Sequence, residues 1–182
     1  ILVFVLESKI VSRNQLQNEF FSHTKTVRSL NARLNRLVLL SLLSRAGIQT
    51  EKEFLFCYSI TKEGLFIVQE HLIYKPLKLP ERSEKPIHDL TLVDIRRFIS
   101  KRKCVLNYLT ENVLQCLDIC AEYYNLGAFV KSNMDAAIEL EINQKRFWVA
   151  LEFENTCQSF EKTDKIVEEY RDELLKTGVV SN

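Results

Sequence analysis

The chain has 182 residues, 46% of them hydrophobic and 27% charged, with only 4 glycines and 3 prolines. That composition excludes a disordered or collagen-like chain and suits one large or two small folded domains. The net charge of +1 predicts no polyanionic partner by itself, yet residues 1–80 carry 11 Lys and Arg against 6 Asp and Glu, and residues 81–182 carry 14 against 18. A basic front and an acidic back predict two modules with different tasks.

Residues 1–10 read as a helix with Leu2, Val5, Leu6 and Ile10 facing inward. The apolar opening lacks a basic leader and is too short for a membrane span or a signal-peptide core. Ser12 followed by Gln15 is a capping box, which starts a short helix over 13–21 with Leu16, Phe20 and Phe21 as its apolar members. Ser22, His23 and Thr24 make a turn, and Thr24 caps a third, basic helix. At about 100° per residue, Val27, Leu30, Leu34 and Leu37 fall in one stripe, with Asn31 at its edge. The opposite face carries Lys25, Arg28, Ser29, Ala32, Asn35 and Arg36, and no acid. Two helices, a turn and a basic helix are the order of a helix-turn-helix, in which cations anchor on phosphates while Arg, Asn and Ser read base edges.

Segments 37–43 and 54–60 then predict two strands, separated by Arg45-Ala46-Gly47 and the polar run 49–53. Two strands joined by a polar loop after a recognition helix form a wing, although 39–43 also suits a longer helix. The candidate DNA contacts are therefore Lys25, Arg28, Ser29, Arg33, Asn35 and Arg36 on the helix, with Lys52 in a wing loop laid along the backbone. A further helix runs from Thr61 to about 73 with Leu65, Val68 and Leu72 buried. All three prolines lie within 74–86, which reads as a linker. The predicted organisation is a winged helix-turn-helix over 1–75, a linker over 76–86 and a second domain over 87–182.

In that second domain, 87–99 is helical in pattern, Lys101-Arg102-Lys103 is a basic cluster, and 105–125 has helical apolar spacing through Leu109, Val113, Leu117 and Ile119. Segments 135–142 and 146–154 flank the turn-like Asn143-Gln144-Lys145 and predict a hairpin, and a last helix over 159–176 buries Phe160, Ile166, Tyr170 and Leu174. Strand alternation puts Asp135, Ala137, Glu139 and Glu141 on one face, and Trp148, Ala150, Glu152 and Glu154 on one face of the partner. Asp135, Glu152 and Glu154 with Lys162 or Lys165 make a candidate phosphodiesterase-like site, in which Asp135 and Glu152 would hold a hard divalent cation such as Mg²⁺. The plainer reading of the same carboxylates is the solvated face of an antiparallel sheet.

The five cysteines (Cys57, Cys104, Cys116, Cys120 and Cys157) are odd in number and form no metal-ligand pattern, as expected of reduced thiols in a cytoplasmic protein. His23, His71 and His88 have no nucleophile or acid at catalytic spacing, and no Gly-rich phosphate loop is present.

Several short runs together resemble the replication-relaxation family of plasmids and mobile elements, which includes mobilisation accessory proteins of the MobC type. They are Arg13-Asn14-Gln15-Leu16-Gln17, Leu30-x-x-Arg33-Leu34-x-x-Leu37 and Tyr58-x-Ile60-Thr61-x-x-Gly64 in the first half. In the second half Ile87-His88-x-Leu90-x-Leu92-x-Asp94, Met134-Asp135-Ala136, Leu151-Glu152-Phe153-Glu154-Asn155-Thr156, Lys165-Ile166 and Tyr170 continue the likeness. The resemblance implies an α+β chain whose winged helix is joined to a smaller α/β domain of the restriction-endonuclease-like type. Met134 stands where the family has proline, and Glu154 where such nucleases carry lysine.

The expected function is sequence-specific binding of double-stranded DNA, as a relaxosome accessory factor acting near a transfer origin in plasmid conjugation. A relaxase or coupling protein and a homodimer mate are the expected protein partners, with no membrane contact and no required cofactor. A transcriptional repressor on the same scaffold and a Mg²⁺-dependent DNA nuclease using Asp135, Glu152, Glu154 and Lys165 are the alternatives.

Overall fold

A computed structural model describes residues 1–21, 27–50, 52–72, 85–115, 126 and 134–153. These form α1 (Leu2–Glu7), β1 (Val11–Ser12), α2 (Arg13–Phe20), α3 (Val27–Leu39), β2 (Leu43–Gln49), β3 (Phe54–Ile60), α4 (Lys62–Gln69), α5 (Pro86–Ile99), β4 (Val105–Thr110), α6 (Glu111–Gln115), β5 (Ala136–Ile142) and β6 (Lys145–Leu151). The architecture is α+β, with two three-stranded antiparallel sheets ordered β1-β3-β2 and β4-β5-β6. No helix of the described residues is long and apolar enough to cross a membrane.

Local chemistry accounts for most element ends. The Ser12 hydroxyl accepts from the Gln15 N–H at 3.2 Å, and the Gln15 side chain accepts from the Ser12 N–H at 3.0 Å. This closes the capping box that starts α2. The Thr61 hydroxyl accepts from the Gly64 N–H and so caps α4. Pro86 occupies the first turn of α5, where its missing N–H leaves no bond unmade. Asn143 and Gln144 both have positive φ (51° and 64°) and join β5 to β6 in a two-residue turn that matches the twist of a hairpin.

Two segments differ from the sequence expectation. Leu39 is helical and the strand begins only at Leu43, so Arg45, Ala46 and Gly47 are ladder residues of β2 rather than loop. The helix stop is Ser41, at φ 55°. Its N–H donates to the Val38 carbonyl and the Leu42 N–H reaches back to the Leu37 carbonyl, a C-terminal cap usually built on glycine. Gly64 secures the same turn, because a Cβ there would stand 2.2 Å from the Leu42 carbonyl oxygen. The second difference is Val105–Thr110, which pairs with β5 as a strand instead of opening a helix. The linker around 74–84 and the last helix over 159–176 fall outside the described residues.

The main core joins Val5 and Leu6 of α1, Leu16 of α2, Leu30 and Leu34 of α3, Tyr58 and Ile60 of β3, and Leu65 and Val68 of α4. Alternation along β3 sends Leu55 and Cys57 to the other side, where they meet Ile10, Ile48 and Leu90 of α5. Helix α5 therefore backs the first sheet. It also faces the second, whose own small core gathers Leu109, Leu114, Leu126, Met134, Ala137 and Trp148.

The two halves are bonded to each other through α1, α2 and α5. Asn112 and Thr110 donate to the carbonyls of Leu6 and Glu7 and so satisfy the end of α1. Arg96 pairs with Glu7, Arg97 with Glu19 at 3.0 Å, and Lys9 with Glu111 at 2.6 Å. The Gln15 amide donates to the Leu90 carbonyl at 2.6 Å.

Candidate nucleic-acid interface and carboxylate cavity

The apolar stripe of α3 is anchored by Leu30 and Leu34, both fully buried, with Leu37 half-buried; Val27, at the start of the helix, is exposed. That anchoring turns Arg28, Ser29, Ala32, Asn35 and Arg36 outward, and all are exposed, as is Arg33. Arg33 lies near the boundary of the face and rests its guanidinium 5.8 Å from the Phe21 ring. Lys25 lies outside the described residues. Among the described residues neither Arg28 nor Arg36 takes part in an ion pair, and α3 carries no acid.

The β2–β3 hairpin ends in a tip organised by Thr50. Its hydroxyl accepts from the N–H groups of Lys52 and Glu53 and donates to the Glu53 carbonyl, while its own N–H also reaches that carbonyl at 2.9 Å. Lys52 and Glu53 are exposed there. Farther down the hairpin, Phe54 and Phe56 pack edge to face with centroids 5.3 Å apart, and the Arg45 guanidinium lies 5.4 Å from the Phe56 centroid.

The carboxylates of the second sheet are not a uniform wet face. The register sets Ala137 opposite Ala150 and Glu139 opposite Trp148. Ala137 and Glu139 are buried, and Glu139 is held by the Asn107 amide. Continuing that register brings Asp135 and Glu152 together at the strand ends, as the alternation predicts. Asp135, however, is engaged: its Oδ2 accepts from the Phe153 N–H at 2.7 Å and lies 3.7 Å from His88 Nε2. Burial raises its pKa above the usual carboxylate range, against the lowering effects of the Phe153 N–H and of His88. Glu152 is exposed and has an interaction of its own. Glu154, Lys162 and Lys165 lie outside the described residues. Among the described residues no three His, Cys, Asp or Glu side chains come together as a metal-holding group.

What the sequence reading missed is a half-open cavity between α1, α5 and β4, lined largely by apolar atoms but reached by several charged side chains. It offers about 30 Å³, room for one or two waters. Lys9, Asp89, Arg96, Tyr108, Glu111 and Asp135 all reach it. His88 flanks Asp135; its Nε2–H donates to the Phe153 carbonyl at 2.9 Å and its Nδ1 lies 3.4 Å from Asp89 Oδ1. Burial pushes the Tyr108 phenol up to about 12, so it remains a proton donor across the physiological range. Adjacent His88 and Asp89 in a helix's first turn were the one local signal, and their partner 46 residues on could not be read from spacing.

The Cys57 thiol, buried between the first sheet and α5, is pushed up to about 11, consistent with a packing role rather than a reactive one. Cys104 is exposed, and both are free thiols.

Compared with known proteins, the chain matches no family model, no curated protein and no solved structure at a significant level.

Proposed function

We propose that this chain binds double-stranded DNA sequence-specifically, with α3 in the major groove and the β2–β3 hairpin as a wing. The element order α1-β1-α2-α3-β2-β3 with sheet order β1-β3-β2 supports reading residues 1–60 as a winged helix. The observation that carries the proposal is the outward face of α3, where exposed Arg28, Asn35 and Arg36 share a surface without a carboxylate. Cations there gain phosphate contacts at no cost in broken ion pairs, and Arg and Asn can pair with purine edges.

The biological setting we infer, from the resemblance to replication-relaxation proteins, is a relaxosome accessory factor bound near a transfer origin, with a relaxase or a second copy as partner. A repressor on the same scaffold differs only in the DNA site it reads. The second half, assigned by that resemblance to the restriction-endonuclease-like fold, would serve as a contact domain. The engagement of Asp135 by the Phe153 N–H and His88 favours this over a metal-dependent nuclease.

Selection of bound sites from a random duplex library, followed by anisotropy at fixed salt, tests the reading. Arg28→Ala and Arg36→Ala are each expected to cost about 1–3 kcal/mol on the selected site. Unchanged affinity in both variants removes α3 from the interface. Incubating supercoiled plasmid with Mg²⁺ or Mn²⁺ and either the wild type or Asp135→Ala tests the nuclease alternative; nicking by the wild type alone would revive it.

A further inference from the structure

The corner that follows α5 carries the basic cluster Lys101-Arg102-Lys103, which lies outside the proposed α3 interface. Ser100 donates to the Arg96 carbonyl at 2.8 Å, Arg102 to Ile99 at 2.9 Å and Val105 to Arg102 at 3.0 Å, all through backbone N–H groups. The corner is thus hydrogen-bonded, and it holds Lys101, Arg102 and Lys103 on the surface in a fixed order. Beside them Phe98 is 64% exposed, which sets an aromatic ring among the cations. The Arg102 guanidinium covers the ring at 4.1 Å from its centroid. Asp94, Arg97, Phe98, Lys101 and Arg102 border an open groove of about 440 Å³, and exposed Lys103 follows just beyond it.

Charge in the groove is one-sided. Among the described residues Asp94 is its single acid, and it already meets Arg97, which Glu19 also holds. Neither Lys101 nor Lys103 has an ion pair among the described residues. The dipole of α5 attracts cations to this end, but Arg96 and Arg97 already fill its last turn, and a dipole does not account for an exposed phenyl ring.

We propose that this groove binds a single-stranded nucleic-acid segment, with a base stacked at the Phe98–Arg102 pair and its flanking phosphates on Lys101 and Lys103. A planar guanidinium beside an aromatic ring is a surface on which any base can stack, and two neighbouring ammonium groups match the polyanionic backbone. Base faces are closed inside a duplex, so the ring can only meet an unpaired nucleotide. An acidic peptide would satisfy the cations but bring no planar group to stack at the Phe98–Arg102 pair. The site does not depend on α3 reading duplex DNA.

The test is anisotropy of the full chain with fluorescein-labelled oligo(dT), oligo(U) and a blunt hairpin duplex, with polyglutamate as competitor. Phe98→Leu keeps an apolar side chain and removes the aromatic face; it is expected to weaken oligo(dT) binding roughly 5- to 150-fold. Lys101→Glu with Lys103→Glu, both at exposed positions, is expected to weaken it further and to flatten its salt dependence. Arg28→Ala is expected to leave oligonucleotide binding unchanged while affecting the duplex, so the two readings fail separately. Preference for oligo(dT) over oligo(U) assigns the site to DNA, and the reverse to RNA. Absence of oligonucleotide binding by the wild type, wild-type affinity in Phe98→Leu, or equal displacement by polyglutamate from wild type and Phe98→Leu would each overturn the proposal.

Discussion

The two helices richest in arginine use it in opposite ways. On α3, Arg28 and Arg36 point to solvent with no ion pair among the described residues, and the helix is fastened through buried Leu30 and Leu34 with Leu37 and Val38 beside them. On α5, Arg96 and Arg97 are turned inward onto Glu7 and Glu19, and Arg96 also covers the Phe4 ring at 4.9 Å. A charge count by halves therefore misleads. Two cations of the acidic half are structural, whereas Arg28 and Arg36 of α3 are exposed and have no ion pair among the described residues.

The contrast can be broken in order of expected effect. Leu34→Ala, at a fully buried position, is expected to cost about 2–5 kcal/mol in urea unfolding. A much smaller loss would mean that the apolar stripe does not hold α3. Arg96→Ala removes the guanidinium that pairs with the partly buried Glu7. A loss of about 2–3 kcal/mol is expected, below the range for a fully buried pair because both side chains keep some solvent contact. Arg28→Ala should stay within about 0.5 kcal/mol of the wild type in the same experiment. Similar losses in the two arginine variants would erase the distinction.

Ser12→Ala removes one arm of the capping box and is expected to cost about 1 kcal/mol. The smallest effect concerns Asp135. Its folded pKa is raised, so the fold favours the protonated form, and the stability this gives below the ordinary 3.8 is lost as pH rises through the raised value. Asp135→Asn cannot ionise and still accepts from Phe153. Its melting temperature should exceed that of the wild type at neutral pH, with the gap closing in acid. A gap of the opposite sign at neutral pH would show that the pairing with His88 outweighs burial.

Much of this was legible where a local rule decides the outcome. Ser12 with Gln15, the stripe through Leu30 and Leu34, the strand Phe54–Ile60 and the Asn143-Gln144 turn all follow from capping, periodicity or turn chemistry. The end of α3 did not, because Ser41 takes a left-handed conformation usually marked by glycine. Nor did β4, where Val105, Leu106, Tyr108 and Leu109 mix with Asn107 and Thr110 in a pattern that satisfies helix and strand spacing alike. The cavity was least legible. Lys9, His88, Glu111 and Asp135 meet only after α1, α5 and the second sheet have packed, and no spacing rule spans such separations.

Gln15 closes the first turn of α2 with its carbonyl oxygen and grips the Leu90 carbonyl with its amide nitrogen. One side chain thereby acts as both a clasp and a tether. Any tilt of α2 would tug directly on the backbone of α5, the helix that leads into the corner carrying Phe98.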